Sequence, residues 1–325
     1  MRKRNIRQTW IALAMAMMLL LSACGKNTPA ESTPTPAATE SPATPTKEPD
    51  PTAEPSATPV PTEKPAVTPT TEPTPTEVPA TPTATPTPEI VKNGDIVVLF
   101  TSDVHCGVDK GLGYVGLWEI RKYLEAQGNE VILVDDGDNI QGEPLGTMTR
   151  GEVLTDLMNK MGYSVAIPGN HEFDYGMDQF LALAKKAQFS YVSCNFNYKG
   201  ELVFQPYVIR ELAGKKIAFV GVTTPKTLTT STPSYFMDEN KEFVYGFLQD
   251  DTGKAVYDAV QSATDAARAE GADYVVVLGH MGNSAENSPW TYAEVIANTD
   301  GIDVFLDGHS HDMDSVTMNN KSGGK

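Results

Sequence analysis

The C-terminal two thirds of the chain alternate short apolar runs with segments of helical periodicity. Ile96–Phe100, Val131–Val134 and Tyr274–Leu278 are continuous runs rich in Val, Ile and Leu, a pattern typical of strands buried on both faces. Between such runs apolar residues recur at helical spacing, as in Leu117, Ile120 and Leu124. Strands that alternate with helices predict an α/β fold with a mainly parallel or mixed sheet.

The remaining predicted elements continue this alternation. Tyr207–Glu211 and Lys216–Val222 are predicted to form a β-hairpin around Ala213 and Gly214. Further strands are predicted at Val165–Ile167, Tyr191–Ser193 and Val304–Leu306, and helices at Val115–Gln127, Leu154–Met161, Phe180–Ala187, Ala255–Glu270 and Tyr292–Ala297.

The first 89 residues lack this alternation and divide into two parts. Met1–Arg7 is cationic, and the apolar run that follows is too short for a membrane span but typical of a secretory signal. Between Pro29 and Pro88 lie 18 of the 24 prolines and no Phe, Trp, Tyr, Leu or Ile, so this stretch cannot bury enough apolar surface to fold. We therefore expect a signal peptide at 1–23, a Pro/Thr-rich disordered stalk at 24–89 and one folded domain at 90–325.

The charge of the chain disfavours one class of partner. The 25 Lys and Arg residues face 42 Asp and Glu residues, for a net charge of −17, and loss of the leader with its four cations would make this −21. Such a field opposes binding to duplex nucleic acid or to an anionic lipid surface. We therefore expect small-molecule ligands, no nucleic-acid duplex, and membrane contact only through the N-terminus.

Polar side chains with metal-binding chemistry follow the predicted strands. The carboxyl ends of strands in an open α/β sheet form the rim where ligands bind. An acid and an imidazole two residues apart at a strand end, such as Asp103 and His105, can both reach one cation. The other candidates at strand ends are Asp138, Asn170, His171, Asp174, His280, His309 and His311. Carboxylate, imidazole and amide donors suit Zn²⁺, Mn²⁺ or Co²⁺ without discriminating among them.

This series of motifs resembles the calcineurin-like metallophosphoesterases. It runs from Ile96 to about Asp312 and reads Asp-x-His, Gly-Asp, Gly-Asn-His-Glu-Phe-Asp, Gly-His and Gly-His-x-His. The complete Gly-Asn-His-Glu-Phe-Asp is similar to the 5′-nucleotidase and UDP-sugar hydrolase branch. The resemblance implies a four-layer αββα sandwich with mixed sheets and a metal centre of two divalent ions at the C-terminal strand rim.

The same resemblance implies a role for each candidate. One metal would be held by Asp103, His105 and His311, the other by Asn170, His280 and His309, and Asp138 would bridge them. His171 would contact the transferring phosphoryl group, and Asp174 would fix the tautomer of His171. A helix N-cap is the alternative role for Asp174. The implied activity is that of an extracellular 5′-nucleotidase, which releases phosphate by hydroxide attack at two metals.

Alternatives remain at the level of the sequence. Cyclic 2′,3′-nucleotides and UDP-sugars are alternative substrates, and a surface-anchored binding module with a structural metal site is the non-enzymatic alternative. Family 5′-nucleotidases continue into a C-terminal nucleoside-binding domain, whereas this sequence stops at Lys325. We therefore expect either a fragment of a longer protein or a compact relative.

The cysteines carry two separate expectations. The leader ends in Leu21-Ser22-Ala23-Cys24-Gly25, which resembles the lipobox of bacterial lipoproteins. This implies lipidation of Cys24 and attachment to the cell membrane, with the catalytic domain on the extracytoplasmic face; an ordinary signal peptide with a chance cysteine is the alternative. For Cys106 and Cys194 we expect two buried thiols rather than a disulfide, and we expect Cys106 not to be a metal ligand.

Overall fold

The computed structural model describes residues 95–325. The predicted signal peptide, the predicted stalk and Cys24 lie outside the described residues. Within 95–325, no helix combines the length and the apolar character that crossing a membrane requires.

The described chain contains eighteen helices and strands, apart from short 3₁₀ turns. In chain order they are β1 (Ile96–Thr101), α1 (Gly113–Ala126), β2 (Glu130–Asp135), α2 (Pro144–Thr149), α3 (Glu152–Met161), β3 (Val165–Ala166), α4 (Met177–Lys186), β4 (Ser190–Tyr191), β5 (Asn197–Tyr198), β6 (Glu201–Leu202), β7 (Tyr207–Leu212), β8 (Lys215–Thr223), α5 (Thr227–Thr230), β9 (Tyr245–Gly246), α6 (Lys254–Ala269), β10 (Tyr274–His280), α7 (Tyr292–Ala297) and β11 (Val304–Asp307).

Two four-stranded sheets form the centre of the fold. The first has the order β1-β2-β3-β4 and is wholly parallel, with Leu99 opposite Leu133. The second has the order β11-β10-β8-β7; β7 and β8 form the predicted antiparallel hairpin, and the other pairs are parallel, with Val276 opposite Phe219. The expected mixture of parallel and antiparallel pairing is thus confirmed.

Both faces of each sheet are covered, which explains the continuous apolar runs. In β2, Ile132 and Val134 point into a core between the sheets that also contains Phe219 and Val276. Leu133 points the other way, into a core shared with α1, α3 and α4. The far face of the second sheet packs in the same manner on α6 and α7. Because successive strand residues face opposite sides, this alternation produces the four αββα layers that the resemblance implied.

The predicted fourth strand is the main local difference. The sequence predicts a strand at Tyr191–Ser193, but β4 ends at Tyr191 because the chain then crosses to the second sheet. The backbone N–H of Ser193 donates to Gln205 O at 3.0 Å, and that of Cys194 donates to Gly221 O at 2.7 Å. The crossing leads into a small antiparallel sheet of order β6-β5-β9, whose two-residue strands are too short to leave a periodic pattern.

Candidate metal centre

The carboxyl ends of five strands bring the seven predicted ligands to one rim. They follow β1 (Asp103 and His105), β2 (Asp138), β3 (Asn170) and β11 (His309 and His311), or end β10 (His280). Six of them form two groups. The ligand atoms of Asp103, His105 and His311 lie within 4.8 Å of one another, and so do those of Asp138, His280 and His309.

Asp138 lies between the two groups. Its Oδ2 is 3.0 Å from Nε2 of His280 and 4.0 Å from Nε2 of His105. Nε2 of His105 is in turn 3.4 Å from Nε2 of His311. One carboxylate oxygen therefore faces imidazoles of both groups, as a shared ligand would.

Two buried atoms without a hydrogen-bond partner indicate whether these residues could bind a cation. Asn170 is 2% exposed, and its Oδ1 has no hydrogen-bond partner among the described residues. Nε2 of the fully buried His280 also lacks an aligned partner there, so its 3.0 Å approach to Asp138 is an ion-pair contact without hydrogen-bond geometry. Buried polar atoms are normally satisfied. An amide oxygen and an imidazole nitrogen left open beside carboxylates fit divalent cations.

In two of the histidines, a hydrogen bond at Nδ1 leaves Nε2 as the nitrogen that can bind a metal. Nδ1 of His280 lies 2.7 Å from Asp136 O, and Nδ1 of His105 lies 3.2 Å from Gln141 O. A carbonyl oxygen only accepts, so each Nδ1 carries a proton, and Nε2 is the nitrogen that would bind a metal. Asp136 thus serves the site through its backbone carbonyl.

Burial and neighbouring charges shift the pKa values of the two histidines in the second group. Burial by itself lowers the pKa of His280, but the contact with Asp138, the charge of Asp103 and the hydrogen bond to Asp136 O together outweigh burial and raise that pKa to about 10. Burial and the nearby His280 together lower the pKa of His309 to about 4. A carboxylate that holds a buried imidazolium will hold a cation in the same place.

The backbone at the rim is unusual. Five of the seven predicted ligands have left-handed φ values, from 45° at His105 to 79° at His309. For residues with a side chain this conformation costs about 1–3 kcal/mol each and is concentrated at functional sites. Backbone bonds between loops hold it in place, including Asp103 N–H to Gly137 O at 3.0 Å and His105 N–H to Asp138 O at 2.9 Å.

Glu172 fastens the loops that carry Asp138 and Asn170. Its fully buried carboxylate accepts from the backbone N–H groups of Asp138 at 2.7 Å, Asn139 at 2.9 Å and Gly169 at 2.6 Å. Burial, followed by the nearby charge of Asp138, raises the pKa of Glu172. The loops approach so closely that a Cβ at Gly169 would collide with Asp138 Oδ1. Only glycine permits this contact.

Asp307 joins the other pair of loops, a role that no sequence motif indicated. Its carboxylate accepts from the backbone N–H groups of Met281 and Gly282, both at 2.9 Å. Burial raises the pKa of Asp307 to about 7. The loop after β10, with His280, is thereby joined to the loop after β11, with His309. An acid directly before Gly308 was the only available sequence signal.

Asp307→Asn is expected to weaken Mn²⁺ binding about 10–100-fold, the usual effect of removing a group that orients metal ligands. The amide retains one acceptor and turns a donor toward a backbone N–H, so the His280 loop loses its fixed position. Titration calorimetry of the metal-free full chain with Mn²⁺ measures the affinity.

Asp303→Asn is the matched control for Asp307→Asn. Asp303 lies at the other end of the same strand pair and accepts from Val275 N–H at 2.7 Å and from Arg268. Both variants should lower the melting temperature, but only Asp307→Asn should weaken metal binding. Equal Mn²⁺ affinity in the two variants would show that Asp307 has no special relation to the metal centre.

His171 and Asp174 lie beside the two groups without joining them. Nδ1 of His171 is 2.6 Å from Oδ2 of Asp174, and the His171 ring centroid is 5.2 Å from that of His105. The hydrogen bond to Asp174 raises the pKa of His171. The alternative role of Asp174 is wrong, because Gly176 is the N-cap of α4.

Both cysteines of the described residues are free and buried. Cys106 is 2% exposed, donates to Asn139 O, and belongs to neither group of candidate ligands. Burial raises the pKa of Cys106 and of Cys194 to about 12, so both are thiols rather than thiolates. This agrees with the expectation of two unpaired thiols.

Comparison with known proteins gives consistent similarities. The calcineurin-like phosphoesterase family matches residues 96–313. The Bacillus subtilis trifunctional nucleotide phosphoesterase protein YfkN is 30% identical over 259 residues, covering 66% of this chain and 16% of the relative. A crystal structure of calcineurin-like phosphoesterase YfkN superposes with a TM-score of 0.52 at 26% identity, covering 65% of this chain and 71% of that one.

Two further relatives carry nucleotidase names. The Salmonella typhimurium 2′,3′-cyclic-nucleotide 2′-phosphodiesterase/3′-nucleotidase is 30% identical over 253 residues, covering 67% of this chain and 37% of the relative. The snake venom 5′-nucleotidase of Gloydius brevicauda is 27% identical over 238 residues, with the same coverage of 67% and 37%. The matched regions thus span 16–37% of the length of these three curated relatives.

Proposed function

Because this chain belongs to the calcineurin-like phosphoesterase family, we propose that it is a metal-dependent hydrolase of phosphate esters, most specifically of nucleoside 5′-monophosphates. The observation that carries the proposal is the position of Asp138 between two groups of ligand atoms, with the His171–Asp174 pair beside them. A purely structural metal site requires the ligands. It does not require a half-buried histidine at its edge that is hydrogen-bonded to a carboxylate.

The two groups of ligand atoms define the proposed role of each ligand. Asp103, His105 and His311 would hold one divalent cation, Asn170, His280 and His309 the other, and Asp138 both. Such a pair supplies positive charge for phosphoryl oxygens and increases the acidity of water. Zn²⁺, Mn²⁺ and Co²⁺ all suit these donors.

His171 has the chemistry to act on the substrate itself. Asp174 keeps a proton on Nδ1 and favours the charged ring, so Nε2–H is available to donate to a phosphoryl oxygen or to the departing ester oxygen. Glu172 and Asp307 hold the loops that carry the ligands, so the rim needs little rearrangement when the ester binds.

A 2′,3′-cyclic nucleotide is the second candidate substrate, and one comparison favours it. The Salmonella relative, at 30% identity, is named for action on 2′,3′-cyclic nucleotides, whereas the relative named 5′-nucleotidase is 27% identical. The complete Gly-Asn-His-Glu-Phe-Asp motif supports the 5′-nucleotide as the first choice.

We also propose a location, which rests on the leader alone. Lipidation of Cys24 would hold the protein at the cell membrane, and the Pro/Thr-rich stretch to residue 89 would separate the hydrolase domain from it on the extracytoplasmic side.

The test measures phosphate release by the full chain after chelation and after reloading with Mn²⁺. Adenosine 5′-monophosphate, 2′,3′-cyclic AMP and an aryl phosphate are compared by kcat/KM. We expect hydrolysis that disappears on chelation, returns with Mn²⁺, and is fastest on the 5′-monophosphate. A faster reaction on the cyclic nucleotide would establish the second candidate. Stoichiometric Mn²⁺ without hydrolysis of any of the three would establish a binding module instead.

A further inference from the structure

We infer that Ser231 is a positioning residue for His171, acting through Asp174; this inference rests on the proposed function. The two oxygens of the Asp174 carboxylate have different partners. Oδ2 bonds to His171 Nδ1 at 2.6 Å, and Oδ1 accepts from the Ser231 hydroxyl at 2.9 Å. The three side chains form one continuous hydrogen-bonded series that ends beside the metal centre.

The fold fixes Ser231 in this position. It follows α5, and its backbone N–H donates to Thr227 O at 3.1 Å. The Thr227 hydroxyl donates to Thr224 O at 2.7 Å, and Thr224 N–H donates to His280 O at 2.9 Å. Ser231 is therefore anchored, through a short chain of bonds, to the strand end that carries a predicted metal ligand.

Ser231 supplies orientation rather than charge. A carboxylate held at one oxygen can still rotate about its Cβ–Cγ bond, and the Asp174 side chain is 21% exposed, so water can compete for the free oxygen. A donor at the second oxygen fixes the carboxylate plane and hence the direction of the bond to Nδ1. The imidazole ring then presents Nε2 in one direction. Misdirecting that nitrogen should slow the chemical step while leaving substrate affinity and metal content alone.

The first experiment compares variants of the metal-loaded full chain. Ser231→Ala should lower kcat about 3–10-fold, the scale of one ordinary hydrogen bond, because partial exposure to water weakens the bond to the Asp174 carboxylate. KM and Mn²⁺ content should stay at the wild-type values. Ser231→Thr, which keeps the hydroxyl, should restore kcat. Ser234→Ala is the matched control, because Ser234 is an exposed serine three residues further on.

A double-mutant cycle separates positioning from general structural damage. In an Asp174→Ala background, Ser231→Ala should cause no further loss of kcat, because the group through which it acts is gone. An unchanged kcat for Ser231→Ala in the wild-type background would overturn the inference. The same loss in both backgrounds would also overturn it.

A spectroscopic measurement keeps the inference distinguishable from the proposed function. In the full chain loaded with diamagnetic Zn²⁺, the His171 Nδ1 proton bonded to Asp174 should give a low-field proton resonance, assigned by its absence in His171→Ala. Ser231→Ala should shift or broaden this resonance, whereas Ser234→Ala should not. If the wild-type chain hydrolyses no ester, the proposed function fails while this measurement still decides the role of Ser231. A spectrum unaffected by Ser231→Ala would contradict that role.

Discussion

His171→Ala is expected to lower kcat about 10²–10⁴-fold, the usual contribution of a proton donor that acts on the reacting group. Metal content should remain at the wild-type level, because His171 belongs to neither group of ligand atoms. Its backbone N–H donates to Asp138 Oδ1 at 2.7 Å, and alanine keeps that bond. The substitution therefore removes the imidazole without releasing the shared carboxylate.

His105→Ala is the comparison that makes this result decisive. His105 lies at the same rim with its ring 5.2 Å from that of His171, but it belongs to the first group of ligand atoms. Its loss should reduce metal content and activity together. Metal analysis by mass spectrometry and kcat on the preferred ester measure both effects. Loss of metal from His171→Ala would show that His171 is a ligand and would refute its proposed role.

The sequence predicted the layout of the site because local patterns encode it. Residues 275–278 of β10 are apolar at every position because both sheet faces are buried there, so the end of such a strand could be read directly. Once the strand ends were located, each candidate ligand was assigned to the same rim by the parallel pairing of the strands. The position of Asp138 between both groups was implied only by the resemblance to the calcineurin-like metallophosphoesterases, and the strand ends alone did not predict it.

What the sequence could not supply is the set of contacts that hold the ligands. Ser231 bonds to Asp174 across 57 residues, and Asp307 reaches back to Met281 across 26. Neither contact lies within a periodic element, and a single Ser or Asp in a loop carries no signal of its own. The left-handed backbone of candidate ligands such as His309 also leaves no sequence signal, because the preference of these residue types for that conformation is too weak to predict it.

The role of Asp174 illustrates the same limit. Asp is a common N-cap, and the sequence did not fix where the helix that contains Phe180 begins, so local rules could not exclude this role for Asp174. The helix begins at Met177 after a glycine cap, and the carboxylate turns toward His171 and Ser231 instead. The sequence left two roles open for Asp174, and its tertiary hydrogen bonds decide between them.

Asp138→Asn is expected to remove bound metal and activity together. Asp138 is 2% exposed; burial alone would raise its pKa, but the nearby His280 and His171 together outweigh burial and lower it, so the carboxylate is ionised in the folded protein. Asparagine has the same shape and can keep the bond from His171 N–H through Oδ1. It then presents a neutral NH₂ donor where Oδ2 faces His280 and His105. A donor at that position cannot bind a cation, whereas the carboxylate can bind two.

The expected loss of Mn²⁺ affinity exceeds the ~10–100-fold typical of mutating a partner of a ligand, because a ligand itself is altered. Asp156→Asn is the matched control: it removes the same charge from a half-exposed side chain whose partner is Lys186, at 2.9 Å. Metal stoichiometry and kcat/KM are measured for both variants, with circular dichroism to verify that the fold is kept. If Asp138→Asn kept the wild-type stoichiometry and lost only activity, Asp138 would not be the residue shared by the two groups. The centre would then need another bridge, and among the described residues Asp103, whose Oδ1 is 3.3 Å from Nε2 of His311, is the next carboxylate to examine.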